Sequence, residues 1–214
     1  DWGSDYSRYY PSQPETRITP LLNINFLRAA LFIAALGFIN WLNSHKNYTP
    51  ALNPQKLLSK IIFYSIPAIL LFALYSVFRL EIANYWEQQY ADSALTINTN
   101  GEQYPGYYWN DDLNLSKTIW GINYSLFFVT VLSFFNIKKL KNQNLGFSNI
   151  GLNVLAIIIF LTAGLPVLGA LRESYLDQTL AEYYHRGAFN IGIRYISFAF
   201  VGLAIFACYQ YIRK

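Results

Sequence analysis

With 54% hydrophobic and only 13% charged residues, this chain of 214 residues is unlike an ordinary soluble domain, in which roughly 25% of the residues are charged. Its apolar residues fall in five long runs separated by polar segments, which is the pattern of a multi-pass membrane protein. The formal net charge of +4 comes without a long basic patch, so a nucleic-acid-binding protein is excluded.

The first twenty residues are polar and lack the apolar segment of a signal peptide. The chain also contains no Met. We expect residues 1–20 to be a polar extracytoplasmic juxtamembrane segment. An N-terminus on that side of the membrane requires a preceding membrane segment, so we expect the chain to be a fragment from the C-terminal part of a larger protein.

The apolar runs are each close to the roughly 20 residues that a helix needs to cross about 30 Å of hydrocarbon. We therefore predict an all-α membrane protein, with a five-helix membrane domain over residues 21–214. The predicted transmembrane helices are 21–42, 58–79, 118–137, 150–171 and 191–212. Pro67 and Pro166 lie inside two of them and predict bends, because proline removes a backbone donor.

Two of the polar connections are predicted to be partly helical. Residues 80–91 contain good helix formers without Gly or Pro, so the second helix is predicted to continue through them. Residues 172–187 have helical spacing, with Leu176, Leu180 and Tyr183 on one face, and Gly187 is predicted to end this helix.

The connection before the third predicted span is expected to be a structured acidic and aromatic loop. Gly101, Pro105 and Gly106 interrupt regular structure there. We expect Asn114 or Ser116 to cap the helix that follows.

The charges predict the orientation of the helices. All twelve acidic residues lie in the N-terminal segment, in 80–117 and in 172–190. Residues 43–57 and 138–149 and the C-terminus carry Lys or Arg without an acid. Because Lys and Arg near span ends favour the cytoplasmic side, we expect these three segments in the cytoplasm and the acidic segments outside it.

Two arginines inside predicted spans, Arg28 and Arg194, are candidate ligand-binding residues. A charge within the membrane is costly and usually faces protein or water. The pair predicts a cationic outer vestibule for an anion or a lipid headgroup. Alternatively, each side chain reaches the headgroups or pairs with the acidic loops, and the loop of residues 100–117 then covers this cationic layer.

The same loop supplies the other candidates. Aromatic rings offer flat apolar faces that stack on a sugar, and paired carboxylates could act on a lipid-linked sugar. The residues concerned are Tyr104, Tyr107, Tyr108, Trp109, Asp111 and Asp112. Alternatively, the rings pack the loop onto the helices and the two Asp residues stabilise a helix N-terminus. We therefore assign no catalytic residue.

No metal site or cofactor is expected. Metal sites need clustered Cys, His or carboxylate ligands, and His45 and His185 are predicted on opposite sides of the membrane. The chain has one Cys, Cys208, inside the last apolar run. It has no phosphate-binding loop, dinucleotide fingerprint or nucleophile elbow.

Three stretches together resemble a known family. They are PLLNINFLRAALFIAAL (20–36), WGINYSLFFVTVLSFFNI (120–137) and FNIGIRYISFAFVGLAIFACYQYIRK (189–214). They resemble the C-terminal part of a bacterial predicted membrane protein family called domain of unknown function 2339. The resemblance implies a large multi-pass protein of the bacterial inner membrane, and it implies no active site.

Three hypotheses for the function follow. The first is a multi-pass inner-membrane protein with a structural or scaffolding role, whose partners are the lipid bilayer and further transmembrane helices of the same protein or of partner subunits. The second is a transporter-like module with a cationic outer vestibule. The third is an envelope enzyme that acts on a lipid-linked sugar.

Overall fold

The computed structural model describes residues 11, 16–44, 57–97 and 106–213. Its helices and strands are α1 (Ile24–Ser44), α2 (Leu57–Asp92), β1 (Leu95–Ile97), β2 (Gly106–Tyr108), α3 (Asp111–Phe135), α4 (Gln143–Ile159), α5 (Leu165–Asp177) and α6 (Phe189–Ile212). A π-helical turn at Asn136–Leu140 extends α3, and another at Phe160–Gly164 joins α4 to α5.

Five helical stretches are long and apolar enough to span a membrane, as predicted. They are Ile24–Asn43, Tyr64–Asp92, Asp111–Leu140, Gln143–Asp177 and Phe189–Ile212. The last four are longer than the predicted spans because helix continues into the polar flanks. The predicted helical architecture is therefore confirmed, and a membrane location fits it.

The chain divides into two compact units, residues 1–85 and 86–214. In the first unit, Asn23 caps α1, because its Oδ1 accepts from the Phe26 N–H at 2.7 Å. Glu81 of α2 fixes the same turn: its carboxylate accepts from the Leu21 N–H at 2.8 Å and from Asn23 Nδ2 at 3.0 Å. Glu81 is only 3% exposed, although the sequence placed it in a polar connection.

The continuation of the second helix through residues 80–91 is confirmed, because α2 is one helix from Leu57 to Asp92. Pro67 lies inside it. Since Glu81, Asn84 and Gln88 are all buried, this half of the helix buries a polar face. The spacing of these three residues is the three-to-four-residue spacing of neighbours on one helix face.

The second unit is built around α3, which packs against α4, α5 and α6. Contacts at both ends of α3 fix the helix directions. Near its start, Asp112 contacts Asn190 at the start of α6, and near its end Ser133 contacts Tyr211 at the end of α6. The helices α3 and α6 therefore run in the same direction, and α4 and α5 run in the opposite one. The buried apolar core is Ile119, Ile122, Leu126, Val129, Ala156, Phe160, Leu168, Leu171, Ile193 and Ala204.

A π-helical turn lies directly before Pro166, where a bend was predicted. The Leu165 N–H donates to the Phe160 carbonyl, and Pro166 follows with no N–H to donate. The Cβ of an alanine at position 164 would lie 2.8 Å from the Phe160 ring, so glycine permits this turn to close against the buried ring.

The connection between α2 and α3 differs from the prediction. Residues Gly106–Tyr108 form a strand that pairs antiparallel with Leu95–Ile97. The helix α3 begins at Asp111, and its cap is Asn110, whose side chain accepts from the Asp112 N–H at 3.2 Å. The prediction of Asn114 or Ser116 as the cap was therefore wrong, because the helix begins before both of them.

The helix predicted over residues 172–187 was also wrong beyond Asp177. Gln178 and Leu180 adopt left-handed backbone conformations, with φ of 48° and 56°. The helix therefore ends at Asp177, residues 179–183 form turns, and residues 184–187 are not helical. Leu180 and Tyr183 then do not lie on a helical face with Leu176.

Candidate functional site

The structure places most of the predicted ligand-binding residues at the start of α3 or close to it. Tyr107 and Tyr108 belong to β2, Trp109 follows, and the three rings are exposed. Asp111 is exposed and Asp112 is buried in the first turn of α3.

The remaining candidates lie elsewhere. Arg28 is exposed on α1 in the first unit, and Arg194 is half-buried on α6 in the second. Tyr104 lies outside the described residues.

A buried ion pair joins α3 to the segment between α5 and α6. Arg186 Nε lies 3.2 Å from Asp112 Oδ2, and the two side chains are 10% and 11% exposed. Asn190 Nδ2 donates to the same carboxylate oxygen at 2.8 Å. Arg186 also donates to Ser174 Oγ and to the Thr179 carbonyl. We call Asp112, Ser174, Arg186 and Asn190 the Asp112 cluster.

The Asp112 cluster compensates two charges that would be costly to bury alone. A buried ion pair is tolerated only when further hydrogen bonds satisfy its groups, and here Asn190, Ser174 and Thr179 supply them. Asp112 also lies in the first turn of α3, where the helix dipole favours a negative charge. With Oδ2 already contacted by Arg186 and Asn190, this carboxylate serves to hold α3, α5 and α6 together.

Ser93, which lies between α2 and β1, connects the paired strands β1 and β2 to the end of the second unit that contains the Asp112 cluster. Its Oγ accepts from the Asn110 N–H at 2.9 Å, and its carbonyl accepts from the Tyr184 hydroxyl at 2.8 Å. Burial raises the pKa of Tyr184 above its ordinary value of 10.0, and the nearby Asp111 and Tyr90 raise it further against the opposing charge of Arg186. The Tyr184 hydroxyl therefore keeps its proton, and with it this hydrogen bond, at neutral pH.

Among the residues that the structure describes, acidic side chains pair with cations near the helix ends in at least two places. One is Asp112 with Arg186. Another is Lys117 with Glu87, at 3.8 Å and with side chains 32% and 56% exposed. An exposed pair such as Lys117 and Glu87 contributes roughly 0–1 kcal/mol to the stability of the fold.

A second polar cluster lies at the opposite end of the second unit, around Tyr211. Its hydroxyl accepts from Asn136 Nδ2 at 3.0 Å and from Asn149 Nδ2 at 3.1 Å, and it donates to the Ser133 carbonyl at 3.2 Å. Asn153 Nδ2 donates to Ser133 Oγ at 2.7 Å. We call these five residues the Tyr211 cluster; it joins α3, α4 and α6.

Sequence reasoning missed the Tyr211 cluster, although one signal was available. Asn149 and Asn153 are four residues apart in an apolar run, so they share one helix face. Polar residues on one face of a membrane helix indicate a polar contact with a neighbouring helix. Asn136 lies at the end of another apolar run, and only the fold shows that Asn136 and Asn149 both contact Tyr211, while Asn153 contacts Ser133.

The middle of α3 also buries polar side chains. Asn123 is fully buried and Thr130 is 4% exposed. Neither side chain has a hydrogen-bond partner in the part of the chain that the structure describes. A buried polar group without a partner is costly, so these two positions are unusual for an apolar helix.

Comparison with known proteins adds no relative. No family model, no curated protein and no solved structure matches this chain. In the part of the chain that the structure describes, no group of three or more His, Cys, Asp or Glu side chains could hold a metal ion.

Proposed function

We propose that this chain is a multi-pass membrane module with a structural role in a larger membrane assembly. The proposal rests on where the polar and apolar side chains lie: polar side chains join the helices, and apolar side chains remain exposed. The Asp112 and Tyr211 clusters hold α3, α4, α5 and α6 together at both ends of the second unit. Large apolar side chains meanwhile remain exposed along the helices.

The helix α1 is the surface that we propose for contact with further transmembrane helices. Only 6% of its most apolar 18-residue stretch is buried, against 33% for the stretch that contains α3. Leu31 and Phe38 are exposed on it. These helices would belong to the same protein or to partner subunits.

Photo-crosslinking in the native membrane tests this role. A photoreactive residue at Leu31 or Phe38 should give adducts with protein as well as lipid. The same residue at Val131, an exposed apolar position on α3, is the matched control and should give mainly lipid adducts. Lipid adducts alone at all three positions would contradict a scaffold that acts through α1.

We also propose the orientation that the charges favour. The α3–α4 connection and the end of α6 would face the cytoplasm, and the Asp112 cluster would lie near the opposite surface. In the sequence, no Asp or Glu occurs between Asp112 and Glu173, while Lys138, Lys139 and Lys141 lie in that interval. This distribution supports the assignment because Lys and Arg near span ends favour the cytoplasmic side.

A transporter-like module is the second candidate, and the buried side chains of Asn123 and Thr130 favour it. Polar groups inside membrane helices commonly mark the path of a substrate or ion. Because Arg194, half-buried on α6 of the same unit, is a cation, the substrate would be an anion. Proteoliposomes loaded with chloride should then release it faster than protein-free liposomes, and Asn123→Leu should slow the release. Equal release from both would exclude this function for chloride.

The envelope-enzyme hypothesis stays a prediction. Since Arg186 and Asn190 contact Oδ2 of Asp112, it would depend on Asp111 and the exposed rings of Tyr107, Tyr108 and Trp109.

A further inference from the structure

Among the described residues, four exposed cations lie at the end of the second unit that contains the Tyr211 cluster. Lys138 and Lys139 belong to the π-helical turn after α3, Lys141 follows that turn, and Arg213 follows α6. All four are exposed. We call them the cationic surface.

The Tyr211 cluster explains why these cations share one end of the unit. Tyr211 lies two residues before Arg213 and accepts a hydrogen bond from Asn136, the first residue of the turn that carries Lys138 and Lys139. Asn136 also holds the other side of this connection, because its Nδ2 donates to the Asn142 carbonyl at 2.9 Å. The end of α6 is thereby fixed to the α3–α4 connection.

The backbone of the connection is itself closed tightly. Lys141 adopts a left-handed conformation with φ of 51°, and its N–H donates to the Asn136 carbonyl at 2.7 Å. Asn142 then caps α4, because its side chain accepts from the Leu145 N–H. The three lysines are therefore presented on a short, hydrogen-bonded turn.

The charge of this surface is not offset by acids from the same helices. The sequence has no Asp or Glu between Asp112 and Glu173, and none after Glu182. The helices that end or begin here thus bring only positive charge to it. A partner that complements the surface must be anionic.

Exposed apolar side chains on the same helix ends indicate what kind of anion fits. They are Phe135, Leu140, Phe147, Tyr209 and Ile212. A soluble anion would contact the cations and leave these side chains in water. A phospholipid offers a charged headgroup to the cations and acyl chains to the apolar side chains, as at other basic surfaces beside membrane helices.

We propose that the cationic surface binds the headgroups of anionic phospholipids, with the acyl chains along the exposed apolar side chains of α3, α4 and α6. This rests on the proposed membrane-spanning function. Each cation that reaches an anionic headgroup raises the association constant roughly fivefold. The chain then selects anionic over zwitterionic lipid at this end.

Native mass spectrometry of the full chain released from nanodiscs tests the proposal. The probes are palmitoyl-oleoyl phosphatidylglycerol and palmitoyl-oleoyl phosphatidylcholine, which share their acyl chains. We expect the phosphatidylglycerol to be retained more strongly, and the triple variant Lys138→Gln, Lys139→Gln, Lys141→Gln to lose at least about tenfold in apparent affinity for it. The single variants Arg213→Gln and Arg172→Gln each remove one exposed cation, and only Arg213→Gln should weaken retention.

Three outcomes would overturn the proposal. They are equal retention of the two lipids, an Arg172→Gln effect as large as that of Arg213→Gln, and displacement of the phosphatidylglycerol by an equal concentration of inorganic phosphate. Thermal unfolding of each variant checks that it is folded, and Arg213→Gln provides the test if the triple variant is not. If the chain instead fails to insert into liposomes at all, the proposed membrane-spanning function fails, which is a separate result.

Discussion

Asp111 and Asp112 are adjacent in the sequence, but their side chains have different surroundings. Asp112 is buried against Arg186 and Asn190, while Asp111 is exposed and accepts from the Tyr90 hydroxyl at 3.5 Å. We expect Asp112→Asn to lower the free energy of unfolding by about 3–5 kcal/mol, because it leaves the Arg186 charge buried without a counterion. Asp111→Asn is the matched control and should change it by less than about 1 kcal/mol.

Chemical unfolding of both variants in detergent micelles measures the difference. A double variant with Arg186→Gln should recover part of the loss, because the uncompensated charge is then removed as well. Equal effects of the two Asp substitutions would contradict a structural role for the Asp112 cluster.

Tyr211 offers a second comparison at the level of single residues. Tyr211→Phe removes the hydroxyl that Asn136 and Asn149 both contact, so we expect a loss of about 1–3 kcal/mol in the free energy of unfolding. Tyr209→Phe removes a hydroxyl from an exposed side chain of the same helix and should cost almost nothing. If the two variants unfold at the same denaturant concentration, the Tyr211 cluster does not hold the three helices together.

At the level of the elements, α4 and α5 form one helical stretch, Gln143–Asp177, that is joined by the π-helical turn at Phe160–Gly164. The stability of this stretch depends on that turn. Gly164→Ala places a Cβ 2.8 Å from the buried Phe160 ring, so we expect a loss of about 1–3 kcal/mol in stability from overpacking. Gly151→Ala, in α4, has no atom within 4 Å of its new Cβ and should be neutral or stabilising by up to about 1 kcal/mol. Thermal unfolding distinguishes the two, and a neutral Gly164→Ala would show that the turn can relax.

The element boundaries show where sequence patterns stop being informative. Good helix formers and the absence of Gly and Pro predicted the extension of α2 correctly, because these are local properties. The helix predicted over 172–187 had suitable spacing as well, but Arg186 donates to Ser174 and to the Thr179 carbonyl. Those contacts depend on the folded segment, so local spacing could not reveal the turns at Gln178 and Leu180.

At the scale of the whole molecule, run length and composition predicted five apolar helices because each helix must satisfy its own backbone hydrogen bonds within an apolar environment. The polar clusters could be predicted less well. Asp112 was a candidate for its charge alone, whereas its partners Arg186 and Asn190 lie more than seventy positions away and meet it only through the packing of α6 on α3. Asn149 and Asn153 share one helix face in the sequence, but their partners Tyr211 and Ser133 lie on other helices and meet them only in the fold.

The proposed orientation across the membrane is the central claim, and cysteine labelling tests it most directly. In a Cys208→Ser background, Asn144→Cys and Glu182→Cys place single thiols at exposed positions near the two ends of the helical stretch Gln143–Asp177. We expect a membrane-impermeant maleimide to label Glu182→Cys in intact cells and Asn144→Cys only after permeabilisation. Labelling of both thiols in intact cells would contradict a helical stretch that crosses the membrane. Labelling of Asn144→Cys alone in intact cells would contradict the proposed orientation.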